Sequence, residues 1–149
     1  MSAPYALPAE HEPDLRLVHA YWEGLIRGAN DMPFWDDFKP DALPELAPRL
    51  CLLDVFDEPF RLHFGHIVGA EIHQRYGATV TGRFLDELTP QAPFEFLASQ
   101  GSAVVEHGAP NFWRRAGGAA KADAAYARLL LPMWGNGRIE MLLCAFSWR

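Results

Sequence analysis

The first regular pattern in the chain is a helical stripe near its start. Between residues 13 and 27 the apolar side chains recur every three or four positions, which is the spacing of one face of an α-helix. Pro13 suits a first helical position and Gly28 a position just beyond the last turn. We therefore predict an amphipathic helix over 13–27, whose stripe covers either the domain's own sheet or a second copy of the chain. The stripe consists of Leu15, Val18, Trp22, Leu25 and Ile26.

Strand patterns lie in two separate parts of the chain. Runs rich in β-branched and aromatic residues at 50–56 and 60–68 flank Asp57-Glu58-Pro59, which predicts an antiparallel hairpin. Three more runs, NFWRRA, AYARLLLPMW and GRIEMLLCAFSWR, follow with GGAAKADA and WGNG as connectors and predict a meander. Asn136 and Gly137 tolerate positive φ, so the second connector is predicted to be a primed β-turn.

The segment between these two groups of strands has a helical pattern. It predicts a short helix with Ile72 and Tyr76 that ends at Gly77, a turn at 83–88 and a longer helix over 92–106. The proline-rich residues 31–49 are predicted to form an irregular connector with one turn at 41–46. Antiparallel strands interrupted by a helical block indicate an α+β fold with these helices on one face of the sheet.

The alternation of side chains along two strands predicts which of them face the helices. Glu140 is expected to face solvent, which places Cys144 on the outer side and Met141 and Leu143 on the inner side. The same reasoning from Asp54 places Cys51 inward. The two cysteines should therefore lie on opposite faces as reduced thiols, without a disulfide between them.

Composition narrows the range of partners. The net charge of −6 and the lack of a Lys/Arg cluster disfavour nucleic acid. No signal-peptide pattern and no membrane-length apolar run occurs, so we expect a cytoplasmic protein without a membrane segment. Residues 1–12 are expected to form a partly mobile leader, and residues 13–149 a single domain.

Four passages together resemble a known family. They are LVHAYWEGLIRG followed by MP, FKPDALPELAPRLCLLDV, HIVGAEIHQRYGATVTGRFLDEL and YARLLLPMWGNGRIEMLL. In order and spacing the chain resembles short stand-alone bacterial PAS-domain proteins from about Asp14 to Trp148. The resemblance implies a five-stranded antiparallel sheet in the order 2-1-5-4-3, with helices enclosing a pocket on its inner face.

A mostly apolar cavity with a few polar groups is the binding site that this fold would provide. Arg114 could hold a carboxylate there if it and Phe112 face the helices, whereas the opposite phase turns Trp113 and Arg115 inward, and the sequence leaves both open. The remaining candidates for the pocket are Gly65, Tyr76, Phe84, Leu97, Met141 and Leu143.

The other candidate chemistry is weak. His63 and His66 are three residues apart on a strand and no further ligand completes a set, so no metal site is predicted. A lone histidine such as His73 or His107 could ligate haem, but hydrogen bonding is its commoner role. The segment GATVTGRFLDEL has no thiol for a cysteinyl-flavin adduct, and no nucleophile motif indicates an enzyme. The identity of any cofactor stays unknown.

We therefore expect a cytosolic sensory or regulatory module without an attached output domain. It would bind a small, partly apolar molecule or a partner protein and signal through a homodimer surface. The apolar stripe of the first helix is the dimer interface that we expect. One alternative is a ligand-free interaction protein. Another is a small α+β isomerase or hydratase, which would need a carboxylate at an inward strand position.

Overall fold

The computed structural model describes residues 5–115 and 125–148. The α-helices are α1 (Pro13–Gly24), α2 (Ala70–Tyr76) and α3 (Leu97–His107). The strands are β1 (Leu50–Asp57), β2 (Phe60–Val68), β3 (Asn111–Arg115), β4 (Tyr126–Gly135) and β5 (Arg138–Trp148). Short 3₁₀ helices occupy Trp35–Asp37, Pro40–Ala42, Ala47–Arg49 and Leu85–Glu87.

The strands form one open sheet in the order β2-β1-β5-β4-β3, and every neighbouring pair is antiparallel. An isolated parallel bridge joins Phe34 to Trp134 at its margin. The predicted α+β class with an antiparallel sheet is confirmed. Asn136 and Gly137 have φ of 51° and 78°, so the predicted primed turn between β4 and β5 is also confirmed.

Helix α1 covers one face of this sheet. Leu15, Val18 and Trp22 are buried, and the Trp22 indole Nε1 donates a 2.9 Å hydrogen bond to the carbonyl of Pro132 in β4. The stripe proposed as a dimer interface therefore packs on the sheet of its own chain. The helix ends at Gly24 rather than at residue 27, and Leu25 follows as its C-cap. Within the stripe, Leu25 and Ile26 are only partly buried.

Helix α3 lies on the other face and begins later than predicted. The backbone is irregular over 92–96, whereas the apolar pattern predicted a helix from residue 92. Pro93 disfavours helical geometry in Ala92, and the carbonyls of Pro93 and Glu95 bond to a strand side chain instead of the next helical turn. Side-chain contacts from the sheet thus override the local helical pattern here.

The predicted inner and outer faces of β5 are reversed in the structure. Met133 is opposite Met141 and Trp134 is opposite Ile139, so Glu140 is an extra residue without a partner on β4. Such a bulge breaks the alternation, and the direction of Glu140 does not determine that of the residues after it. Leu142 lies next to Gly101 of α3 and Phe146 lies next to Phe94, so Leu142, Cys144 and Phe146 face α3. By alternation, Met141 and Leu143 lie on the face that α1 covers.

The two cysteines are consequently neighbours rather than on opposite faces. Cys51 of β1 lies directly opposite Cys144 of β5, and both are buried and unbridged. A hydrogen bond with Cys144, followed by burial, raises the pKa of the Cys51 thiol well above its ordinary value. The Cys51 thiol therefore stays protonated at neutral pH.

The described part of the predicted leader packs along β3. The carbonyl of Tyr5 accepts a hydrogen bond from the backbone N–H of Phe112, and Glu12 pairs with Arg114 through two hydrogen bonds. These contacts attach Tyr5 and Glu12 to β3. The predicted connector GGAAKADA lies outside the described residues. Among the helices of the described ranges, none has the length and apolar character needed to cross a bilayer.

Candidate ligand-binding cleft

An apolar cleft opens between the start of β2, the 3₁₀ helix Leu85–Glu87 and the start of α3. Its volume is about 350 Å³, within the range of small-molecule sites. Its apolar lining comes mainly from Phe60, Leu62, Leu85, Leu88, Phe94, Phe96 and Leu97, and Arg61, Asp86 and Thr89 supply polar groups. Three other depressions, of about 280, 370 and 380 Å³, lie beside Trp134, beside Asp54 and beside Pro48. The first two lack such an apolar wall, and the third is shallower and more open to solvent.

A glycine lets α3 approach the sheet next to this cleft. A Cβ atom added to Gly101 would lie only 2.8 Å from Cδ1 of Leu62. Leu62 lines the cleft, so the width of the cleft depends on this close helix-to-strand approach.

Phe96 stands at the mouth of the cleft in a strained conformation. Its φ is 61°, in the left-handed region that residues other than glycine rarely adopt, and its side chain is 63% exposed. A positive φ at a bulky residue lowers the stability of the folded state. Backbone strain of this kind concentrates at binding sites. Its ring centroid lies 5.6 Å from that of Trp113.

A buried arginine fastens the segment before α3 to the sheet. Arg128 of β4 is fully buried and donates three hydrogen bonds to this region. Its Nε bonds to Gln100 Oε1 at 2.7 Å, its Nη1 to the Pro93 carbonyl at 2.8 Å and its Nη2 to the Glu95 carbonyl at 2.7 Å. The planar fork of the guanidinium matches these three directions at once. Arg128 therefore fixes the backbone on either side of Phe94.

The charge of Arg128 is balanced by dipoles and a ring rather than by a salt bridge. Within the described residues no carboxylate forms an ion pair with it, and its guanidinium carbon lies 4.8 Å from the centre of the Trp113 ring. Burial lowers the pKa of this guanidinium from its ordinary value. An arginine stays charged in proteins, so its three hydrogen bonds offset a large desolvation cost.

A neighbouring acidic group belongs to a second small network. Glu95 Oε1 accepts a hydrogen bond from Arg115 Nη1 at 2.8 Å and another from the Tyr126 hydroxyl at 3.4 Å. Burial is the main reason why the pKa of Tyr126 rises to about 12, with a further contribution from Glu95. The hydroxyl therefore stays neutral well into the alkaline range.

We expect the stability of the protein to fall as the pH rises from about 10 to about 12. The unfolded tyrosine ionises near pH 10, whereas folded Tyr126 holds its proton up to a pKa of about 12. Its contribution is fully present below pH 10 and is lost through that interval. Urea unfolding at stepped pH should show this fall, and the fall should be smaller in Tyr126→Phe. An equal fall in both proteins would contradict the assignment.

Opposite charges face each other at the rim of the cleft. Arg61 donates to Asp86 through Nε at 2.6 Å and through Nη2 at 2.8 Å. The guanidinium carbon also lies 3.7 Å from the centre of the Phe84 ring. The hydrogen bonds with each other raise the pKa of Arg61 and lower the pKa of Asp86. Among the described residues, Arg61 and Asp86 are the only charged ones that line the cleft, and they neutralise each other.

Three of the predicted pocket residues lie at or beside the cleft. Leu97 lines it, and Phe84 supports Arg61 at its rim. The Tyr76 hydroxyl accepts a 2.9 Å hydrogen bond from the backbone N–H of Thr89 and so holds one wall.

The other four predicted residues lie elsewhere. Gly65 is next to Asp54, where its added Cβ would lie 3.3 Å from Oδ2, and Met141 is opposite Asp54. Leu143 and Arg114 are on the face covered by α1 and the N-terminal segment. The phase of β3, which the sequence left open, follows from its contacts. Trp113 lies against Phe96 and Arg115 bonds to Glu95, so both face the helices, whereas Arg114 bonds to Glu12.

Two of the candidate histidines, His63 and His73, have local hydrogen-bond partners. His73 Nδ1 accepts a 3.1 Å hydrogen bond from the backbone N–H of Val80, and His63 Nδ1 lies 2.9 Å from Asp54 Oδ2. His107 is the last residue of α3. In residues 5–115 and 125–148, no three His, Cys, Asp or Glu side chains cluster in a way that could hold a metal ion.

Comparison with known proteins gives no relative from which a function could be transferred. The chain matches no family model, no curated protein and no solved structure.

Proposed function

We propose that this chain is a PAS-like regulatory module of the cytoplasm that binds a small, partly apolar molecule in the cleft between β2, Leu85–Glu87 and α3. The observation that carries the proposal is the apolar cleft of about 350 Å³. The strand order β2-β1-β5-β4-β3, with α2 and α3 on one face, is also what the PAS resemblance implies and supports the assignment.

A signal from the cleft has a physical route to the rest of the domain. Phe94 and Phe96 line the cleft, and the carbonyls of Pro93 and Glu95 beside them bond to Arg128. A ligand that favours one position of this segment over another would shift the balance between two states of the domain. We propose that a partner protein or a second copy of the chain senses that shift.

The enzyme alternative has less support. It needs a buried carboxylate that faces the helices from a strand. The described strands carry three acids, and Asp57 is at the exposed end of β1, where it pairs with Arg138. Asp54 bonds to His63 on the face opposite α3, and Glu140 sits at the β5 bulge with Asn136 as its hydrogen-bond partner. The ligand-free interaction protein stays as the rival, and occupancy of the cleft distinguishes it.

Filling the cleft should abolish ligand binding without disturbing the fold. Ala98 lines the cleft from an exposed position on α3, so Ala98→Trp would occupy the ligand's space. Ser102→Trp, one helical turn further along at another exposed position, is the matched control.

The measurement is native mass spectrometry of each protein purified from its own host. We expect a retained small molecule in the unchanged protein and in Ser102→Trp, and its loss in Ala98→Trp. A bare chain in all three samples would favour the interaction protein instead.

A further inference from the structure

We propose that the cleft selects an uncharged, ring-containing ligand, and that Asp86 sets this selectivity by neutralising Arg61. This inference rests on the proposed function, because it specifies the class of molecule that the same cleft binds. It follows from the shape of the lining, the pairing of the rim charges and the volume of the cleft.

The lining favours flat apolar rings. Phe60, Phe94 and Phe96 contribute three aromatic side chains to the walls. Aromatic rings bind other rings in offset or edge-to-face arrangements with a gain beyond simple area burial. A cavity of about 150 Å³ already binds benzene, so the cleft, at about 350 Å³, has room for two fused rings.

The rim disfavours a charged group on that ligand. Asp86 covers the Nε and Nη2 side of the Arg61 guanidinium with both of its carboxylate oxygens. Arg83 and Glu87, which flank this region in the sequence, form a second pair of opposite sign outside the lining, with 3.9 Å between Nε and Oε1. A ligand carboxylate would therefore meet no net positive charge and would lose its hydration against apolar walls.

Removing the Asp86 charge should reverse this preference. In Asp86→Asn the Arg61 fork keeps its place on the Phe84 ring, at 3.7 Å, but loses its anionic partner. A planar guanidinium on an aromatic face is a strong site for a carboxylate. The pair is solvent-exposed, so the substitution should leave the fold intact.

The chain offers a close control. Asp37 binds Arg27 with the same geometry, through Nε at 2.8 Å and Nη2 at 2.7 Å, and neither residue lines the cleft. Asp37→Asn therefore makes the same change in net charge at a remote pair.

The test compares two probes with the same fused rings at neutral pH, naphthalene-2-methanol and naphthalene-2-carboxylate, by isothermal titration calorimetry. For the unchanged protein and for Asp37→Asn we expect the alcohol to bind at least about tenfold more tightly. For Asp86→Asn the ratio of the two affinities should shift toward the carboxylate by at least about tenfold, the size of one charge-assisted hydrogen bond.

The possible failures separate the two proposals. Tighter binding of the carboxylate to the unchanged protein, or an equal ratio in Asp86→Asn and Asp37→Asn, would overturn the charge selectivity and leave the cleft as a binding site. Two outcomes would overturn both this inference and the proposed site. One is that neither probe binds to any of the three proteins, and the other is that the probes bind equally well after Ala98→Trp.

Discussion

Replacing Arg128 with alanine is expected to lower the free energy of unfolding by about 3–5 kcal/mol, one of the two largest effects that the structure predicts. The substitution removes the donor to Gln100 Oε1 and to the carbonyls of Pro93 and Glu95, and it leaves a cavity in the core. Each buried acceptor without a partner costs about 1–3 kcal/mol, partly offset because a buried charge is also removed. Urea denaturation measures the loss through the shift of the midpoint at constant slope.

Two further substitutions separate the effect of the positive charge from the effect of the hydrogen-bond geometry of the guanidinium. Arg128→Lys keeps a cation, but its three N–H groups share one nitrogen and cannot match the spread-out acceptors of the planar guanidinium. We therefore expect an intermediate loss in the free energy of unfolding. Arg128→Met keeps much of the volume and removes the desolvation cost, yet it still leaves the three acceptors bare. If Arg128→Met matched the unchanged protein, these hydrogen bonds would not be what holds the segment before α3.

Arg27→Ala is the control, because it removes an arginine and its charge from the surface without touching the buried network. Arg27 forms a bidentate pair with Asp37 on the surface, where an ion pair contributes little. We therefore expect its unfolding curve to stay close to that of the unchanged protein. Hydrogen exchange gives a local readout, since the amides of residues 94–97 should exchange faster in Arg128→Lys than in Arg27→Ala.

The sequence predicts the elements whose own residues determine them. The spacing of Leu15, Val18 and Trp22 is enough to predict α1, and the Asn136 and Gly137 pair is enough to predict the turn between β4 and β5. Strand alternation failed at Glu140, because a bulge depends on pairing with β4 and has no clear mark in β5 itself. The direct pairing of Cys51 with Cys144 across β1 and β5 was not predicted for the same reason.

The buried polar network next to the cleft could also have been predicted. Arg128 stands in the apolar run AYARLLLPMW, and a central strand buried on both faces gives a lone arginine no route to solvent. Gln100 likewise lies on the apolar side of α3 with Leu97 and Val104. Two polar residues on buried faces indicate a shared network. The positive φ of Phe96 had no such signal, since it arises from the tertiary contacts of the neighbouring backbone.

The packing of α1 on its own sheet leads to the other large effect. Trp22 is only 3% exposed, and its indole Nε1 is bonded to the Pro132 carbonyl. We expect Trp22→Ala to lower the free energy of unfolding by about 3–5 kcal/mol, as for other buried large aromatic residues. Trp22→Phe keeps most of the ring but leaves the carbonyl without its donor, and about 1–3 kcal/mol should be lost. Leu17→Ala, at a position of α1 that is 60% exposed, should change stability by less than about 0.5 kcal/mol.

The dependence on protein concentration distinguishes this packing from a dimer interface. If the stripe covers its own sheet, the loss in Trp22→Ala is intramolecular and should be the same at every protein concentration. If the stripe instead joined two copies, the unchanged protein would gain stability with concentration, and Trp22→Ala would be a folded monomer that does not. Urea unfolding over a hundredfold range of concentration, with sedimentation of the same samples, measures both. A homodimer that survives Trp22→Ala would have to form through another surface, because in this structure the stripe already contacts β4 and β5.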